Sequence, residues 1–185
     1  MKTITKIGIV TNAVLAAAML NIYCNKVSND RLELIQADMI AQEVATQMYK
    51  ANELQCLATN IYHEARSEGL TGQRAVAWTT MNRVSSDAYP NTVCEVVYQA
   101  KLTEAGTPIK DKCQFSWYCD GKSDDIENEG SWNEAVAIAE EVMNSYGIET
   151  DPTNGAIMYH AAYVEPYWAS SYEKTARIDT HIFYN

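Results

Sequence analysis

The chain predicts an α+β domain, mainly α, behind an N-terminal segment of different character. Three observations carry that expectation. Between Leu54 and Met143, apolar residues recur at three- and four-residue intervals, the signature of helices with one buried face. The stretch 100–130 breaks that rhythm with Gly106, Pro108, Gly121 and Gly130, and reads as a loop or short β insertion. The end of the chain, Ile178 to Tyr184, is rich in β-branched and aromatic residues and reads as a strand.

The N-terminal segment comes first. Lys2 and Lys6 supply a positive start, no charge occurs from Ile7 through Cys24, and Ala16, Ala17 and Ala18 offer a small-residue cleavage site. Residues 1–27 therefore read as a signal peptide or signal-anchor. The uncharged run 7–24 has roughly the length of a short membrane helix, so it would also serve as a tether to the inner membrane. Both fates place the body outside the cytoplasm, in the periplasm or cell wall, secreted or tethered. Residues 28–53 are polar, acidic and free of Gly and Pro, which predicts a helical spacer, although a first helix packed on the domain fits nearly as well.

The body is expected over 54–185. Leu54, Leu57, Ala58, Ile61 and Ala65 form its first buried stripe, with Glu64 at the stripe's edge. Gly69 ends this helix and Thr71 is the expected N-cap of the next, whose inner side carries Val76, Ala77, Thr80, Met81 and Val84. Asp87 to Pro90 breaks that helix, and Thr92 with Glu95 forms a capping box for a short one through Tyr98. Ser131 and Glu134 form a second capping box, opening a helix with Trp132, Ala135, Val136, Ala139, Val142 and Met143 inward and ending near Gly147.

Composition excludes several classes. A net charge of −10 argues against general binding to nucleic-acid phosphates and against a basic membrane-binding patch. Tyrosine is abundant (12, with 4 Trp and only 2 Phe), which suits sugar-lined grooves and ordinary half-buried surfaces alike. The five cysteines form no CxxC pair. In an exported chain, Cys56, Cys94, Cys113 and Cys119 predict two disulfides in any of three pairings, with Cys24 spare; in a reducing compartment they would be buried thiols. His63-Glu64 begins like the HExxH zinc motif, but position 67 is Ser, and no metal is expected. A Cys56–His160 nucleophile pair would need a reduced cysteine, and the acidic run 120–129 lacks the spacing of a calcium loop. Glycoside cleavage needs less: one carboxylic acid in apolar surroundings. Glu64 is placed for it, although on pattern alone an exposed Glu pairing Arg66 is the commoner arrangement.

A series of blocks in fixed order then resembles the cell wall hydrolase family typified by the spore cortex-lytic enzyme SleB. They are Cys56-Leu57, Ile61-Tyr62, Glu64-Ala65-Arg66 with Glu68, Gly72-Gln73, Ala75-Val76-Ala77 and Asn82-Arg83-Val84. Pro90, Thr92-Val93-Cys94 and Val96 to Gln99 follow, then Cys113 to Ser116 and Cys119-Asp120-Gly121. Gly155-Ala156, Tyr159-His160, Val164, Pro166, Trp168-Ala169 and His181 to Tyr184 close the series. The resemblance implies a lysozyme-like, lytic transglycosylase-related fold acting, without cofactor and as a monomer, on the glycan strands of peptidoglycan. It implies Glu64 as catalytic acid, protonating the oxygen between MurNAc and GlcNAc and leaving a 1,6-anhydro end. Glu68 and Asp120 are the candidates for a second carboxylate should water attack instead. Gln114, Ser116, Tyr159 and His160 are expected to line the groove, and Arg66, Trp168 and Phe183 to be structural. Two features depart from the pattern: Ser67 stands where the family has Gly, and the segment 101–112 is longer than in its shortest members. A non-catalytic wall-binding protein is the alternative from another class. A weak anchor, a compact domain and the spare Cys24 also fit a phage lysis enzyme held at the membrane, with Cys24 pairing a body cysteine before release.

Overall fold

The structure, a computed structural model, describes residues 3–185, with side chains described from Leu15 onward. Lys2, Lys6 and residues 7–14 of the uncharged run expected of a signal segment therefore lie outside the described side chains. Internal contacts divide the chain between Met48 and Tyr49. Helix α1 spans Thr3–Ala65, so its first part belongs to the N-terminal unit and its last turns to the body. In the N-terminal unit the apolar residues Leu32, Ile35, Met39, Ile40, Val44 and Met48 are all exposed. Among the described residues, no helix is long and apolar enough to cross a membrane. At the expected spacer boundary the helix continues unbroken, and Glu53 is already buried, its carboxylate accepting from the Val93 amide at 2.5 Å.

The body packs the last turns of α1 against α2 (Leu70–Val84), α3 (Val93–Val97) and α4 (Glu129–Ser145). Leu57, Ala58, Ile61 and Ala65 are fully buried, as the stripe requires. Leu57 and Ile61 each contribute about 1.5–3 kcal/mol by leaving water. Helix α2 is buried on nearly every side, including its polar residues, and Thr79 and Thr80 satisfy their hydroxyls on the carbonyls of Ala75 and Val76 at 2.9 and 3.0 Å. Asn60 bridges the core: it donates to Thr80 Oγ1 at 3.1 Å and accepts from Trp117 Nε1 at 3.1 Å. A buried amide matched at both ends specifies how α1, α2 and the insertion dock.

Two caps differ from expectation. Gly69, not Thr71, is the N-cap of α2, and it makes no side-chain cap bond. The helix's third amide, on Gly72, donates instead to Asp179 Oδ2 at 2.9 Å, across a sequence separation of 107. Likewise Asn128, not Ser131, caps α4, accepting from the Ser131 amide at 2.8 Å. Glu134 is thereby released from capping and accepts from Gln73 Nε2 at 2.6 Å, tying α4 to α2. The Thr92 cap of α3 is as expected, accepting from the Glu95 amide at 3.2 Å.

The insertion is an antiparallel pair, β1 (Ala100–Leu102) and β2 (Pro108–Cys113), followed by a 3-10 helix, Ser116–Cys119. The tail forms a second sheet of order β3-β5-β4, from β3 (Met158–Ala161), β4 (Lys174–Ile178) and β5 (His181–Tyr184). The expected strand Ile178–Tyr184 is thus cut in two. Asp179 takes φ 47°, turns the chain back, and makes Ile178 the end of β4 and His181 the start of β5. Phe183, on the central strand, is fully buried with Ala75 and Ala156 beneath the sheet. Disulfides join Cys56 to Cys94 and Cys113 to Cys119, and Cys24 is free and exposed.

Candidate active site

Glu64 sits in the last turn of α1, between two recesses. One, of ~530 Å3, is lined by His63, Ser116, Asp120, Tyr159 and His160 as well as Glu64. The other, of ~260 Å3, is lined by Glu64, Arg83, Gln114, Ser116, Tyr159 and Trp168. Glu64, Ser116 and Tyr159 border both, so the carboxyl lies where the two meet. The helix ends just beyond it because the chain turns after Ala65, and β3 brings Tyr159 against it from the far end of the sequence.

The Tyr159 hydroxyl donates to Glu64 Oε2 at 2.9 Å. Burial pushes the Glu64 carboxyl above the ordinary carboxylate range, against the hydrogen bond from Tyr159 and the nearby charge of Arg83, which pull it down. Burial also pushes the Tyr159 hydroxyl well up, and the adjacent Glu64 carboxylate adds to the shift, so this group remains a donor at any working pH. Glu64 therefore combines a proton affinity raised by burial with access to a cavity, the two features a general acid needs.

Arg83 is the residue that sequence reasoning passed over. It is only 3% exposed, yet no Asp or Glu forms a salt bridge with it among the described residues. Its Nε donates to the Ile157 carbonyl at 2.7 Å. With its amide oxygen turned toward the guanidinium, Gln114 accepts from both Arg83 Nη atoms at 3.2 Å. The guanidinium also lies over the rings of Phe115, Tyr89 and Tyr159, 5.0, 5.5 and 5.9 Å from their centres. A sequence signal existed: seven residues after Val76, Arg83 falls on the buried face of α2, where a lone cation needs a reason. His63, the first residue of the incomplete zinc motif, lines the larger recess. Its ring stacks on Trp117 at 4.5 Å, and burial lowers its basicity against the opposing pull of Asp124.

The remaining expected residues fall into place as follows. Asp120 lines the larger recess beside Glu64, and the amide and ammonium of Lys122, at 2.8 and 3.0 Å, hold its carboxyl below the usual range. Glu68 faces the tail hairpin: Thr180 binds it through its hydroxyl at 2.5 Å and its amide at 3.1 Å. Burial raises the Glu68 carboxyl, but those two bonds and the nearby His181 outweigh it and leave it lowered. His160 is fixed at both ring nitrogens, Nδ1 to the Ala161 carbonyl and Nε2 to the Tyr184 hydroxyl, each 2.9 Å. A carbonyl can only accept, so Nδ1 carries the proton and Nε2 accepts from Tyr184. Of the residues expected to be structural, Phe183 is core, while Arg66 lines the larger recess and Trp168 the smaller. Among the described residues no cluster of His, Cys, Asp or Glu is arranged to hold a metal.

Comparison with known proteins places the fold. A family model described as Cell Wall Hydrolase matches residues 67–184, a segment that begins just after Glu64. The spore cortex-lytic enzyme of Bacillus cereus is 30% identical over 136 residues, covering 73% of this chain; the chain spans 45% of that relative's length. Among solved structures, the catalytic domain of the Bacillus cereus SleB protein aligns with TM-score 0.52 and 26% identity, over 73% of this chain and 91% of the other. The catalytic domain of the germination-specific lytic transglycosylase SleB from Bacillus anthracis aligns with TM-score 0.51 and 28% identity, over 72% and 94%. The body thus has the mainly helical, lysozyme-like fold of those domains, as the blocks implied. Since the family match runs from the start of α2 to the last strand, the chain belongs to the cell wall hydrolase family.

Proposed function

We propose that the body cleaves the MurNAc–GlcNAc bond of peptidoglycan glycan strands as a lytic transglycosylase, with Glu64 as acid and then base. The observation that carries this reading is the Glu64 carboxyl, its pKa raised by burial, at the junction of two recesses. Because Tyr159 donates to Oε2, the acidic proton belongs on Oε1. Glu64 gives that proton to the bridging oxygen as the bond from this oxygen to C1 of MurNAc breaks. The resulting carboxylate is held by the Tyr159 hydroxyl and the charge of Arg83, the same two influences that oppose its protonation at rest. It then takes the proton of the MurNAc 6-hydroxyl as that oxygen closes onto C1, which forms the 1,6-anhydro ring and returns Glu64 to its starting state.

Asp120 supports a second reading. It is an ionised carboxylate lining the same recess, where it would activate water for hydrolysis. Mass spectrometry of products from purified peptidoglycan separates the two: 1,6-anhydro-MurNAc ends support the transglycosylase, and reducing MurNAc ends support the muramidase. Asp120→Asn should leave anhydro product formation within about threefold of wild type under the first reading and abolish turnover under the second. Such a substrate places the working enzyme outside the cytoplasm, in line with export by the N-terminal segment.

A further inference from the structure

We propose that a further recess, bounded by the loop between β3 and β4 and by β5, is a subsite for a neutral, N-acetylated sugar of the strand. It rests on the glycan-cleaving reading above and extends the site beyond the bond being cut. The recess has a volume of ~610 Å3, within the range of small-ligand sites. It adjoins the recess at Glu64, because His160 and Tyr163 line both, so a strand seated at Glu64 that runs on past these two side chains would reach it.

The lining chemistry selects the occupant. Tyr163 and Tyr167 are 88% and 94% exposed, an unusual state for two large rings bordering one recess. Tyrosine offers a flat apolar face for the C–H side of a pyranose and a hydroxyl at its rim, and fixing it costs only two side-chain torsions. Pro166, Val164 and Ile182 add apolar surface. Among the described residues, no Lys or Arg lines the recess and Glu165 is its one carboxylate. On a chain of net charge −10, that lining disfavours the carboxylates of the stem peptides and suits an uncharged sugar. The floor is rigid, since His160 is bonded at both nitrogens and packs parallel to Tyr184 at 5.3 Å.

The test uses the full chain carrying Glu64→Gln, titrated with uncharged GlcNAc oligomers of increasing length, with and without Tyr167→Ala. Affinity should rise with oligomer length when both tyrosines are present. Tyr167→Ala, at a residue bordering the further recess and not the one at Glu64, should bind the longest oligomers about tenfold more weakly while binding the shortest equally well. Unchanged affinity for long oligomers, or no oligomer binding at all, would overturn the subsite. So would a loss seen only with peptide-bearing strands, which would make the recess a stem-peptide site. Parallel turnover assays of the chain with Glu64 intact keep the two ideas apart. Tyrosine-dependent binding without cleavage would leave the subsite standing and remove the catalytic reading.

Discussion

At the scale of single residues, the balance at Glu64 sets the pH behaviour. Its folded pKa lies above the unfolded value, so the stabilising contribution of the protonated carboxyl is complete below the unfolded pKa and is lost as pH rises through the folded one. Glu64→Gln should therefore be more stable than wild type at neutral pH, with the difference vanishing in acid; denaturant midpoints across pH measure this. Activity should fall along the same limb, as the acid loses its proton. Tyr159→Phe removes a bond that favours the carboxylate, so the basic limb of kcat/KM should move to higher pH while turnover drops. A limb that stays in place would mean that Tyr159 only packs. Periodicity made half of this legible, since it put Glu64 at the border of a buried stripe. It also put Arg83 on the buried face of α2, but it could not bring Arg83 or Tyr159 to Glu64, because that approach depends on how β3 and α2 dock.

At the scale of elements, the tail hairpin holds the start of α2. Asp179 takes a left-handed conformation at the β4–β5 turn and caps Gly72 from there. Asp179→Ala should cost about 1 kcal/mol, the usual worth of a lost cap, readable in chemical unfolding. The side chain at position 72 is constrained by the same contact. A Cβ there would come within 2.6 Å of Asp179 Oδ2 and 2.9 Å of Glu68 Cβ, so Gly72→Ala should cost about 1–3 kcal/mol through displacement of the hairpin. These caps explain where sequence reading succeeded and failed. Thr92–Glu95 was legible because both partners of that cap are local. Thr71 and Ser131 were plausible local caps, but Asp179 supplied one helix start from a distance and Asn128, three residues earlier, took the other. The strand at 178–184 was legible by composition, and its turn falls at Asp179, a residue of poor β propensity that tolerates the left-handed conformation.

At the scale of the whole molecule, two disulfides serve different ends. Cys56–Cys94 joins α1 to α3 across a separation of 38 residues, and replacing both by Ser should cost about 2–5 kcal/mol in denaturant unfolding. Cys113–Cys119 closes a separation of only 6 and encloses Gln114 and Ser116. Its removal should cost less stability but raise KM, since the wall of the smaller recess would loosen. The order of blocks along the chain made the family and the helical frame legible. Which cysteines pair, and that Glu68 faces the tail hairpin, emerge only when distant segments meet. Whether Glu64 moves the proton is read directly from the products. Purified peptidoglycan is incubated with wild-type and Glu64→Gln protein of equal fold, and the released muropeptides are followed by mass spectrometry. Wild type should release products with anhydro-MurNAc ends and Glu64→Gln should release none above background, whereas wild-type turnover by the variant would contradict the account.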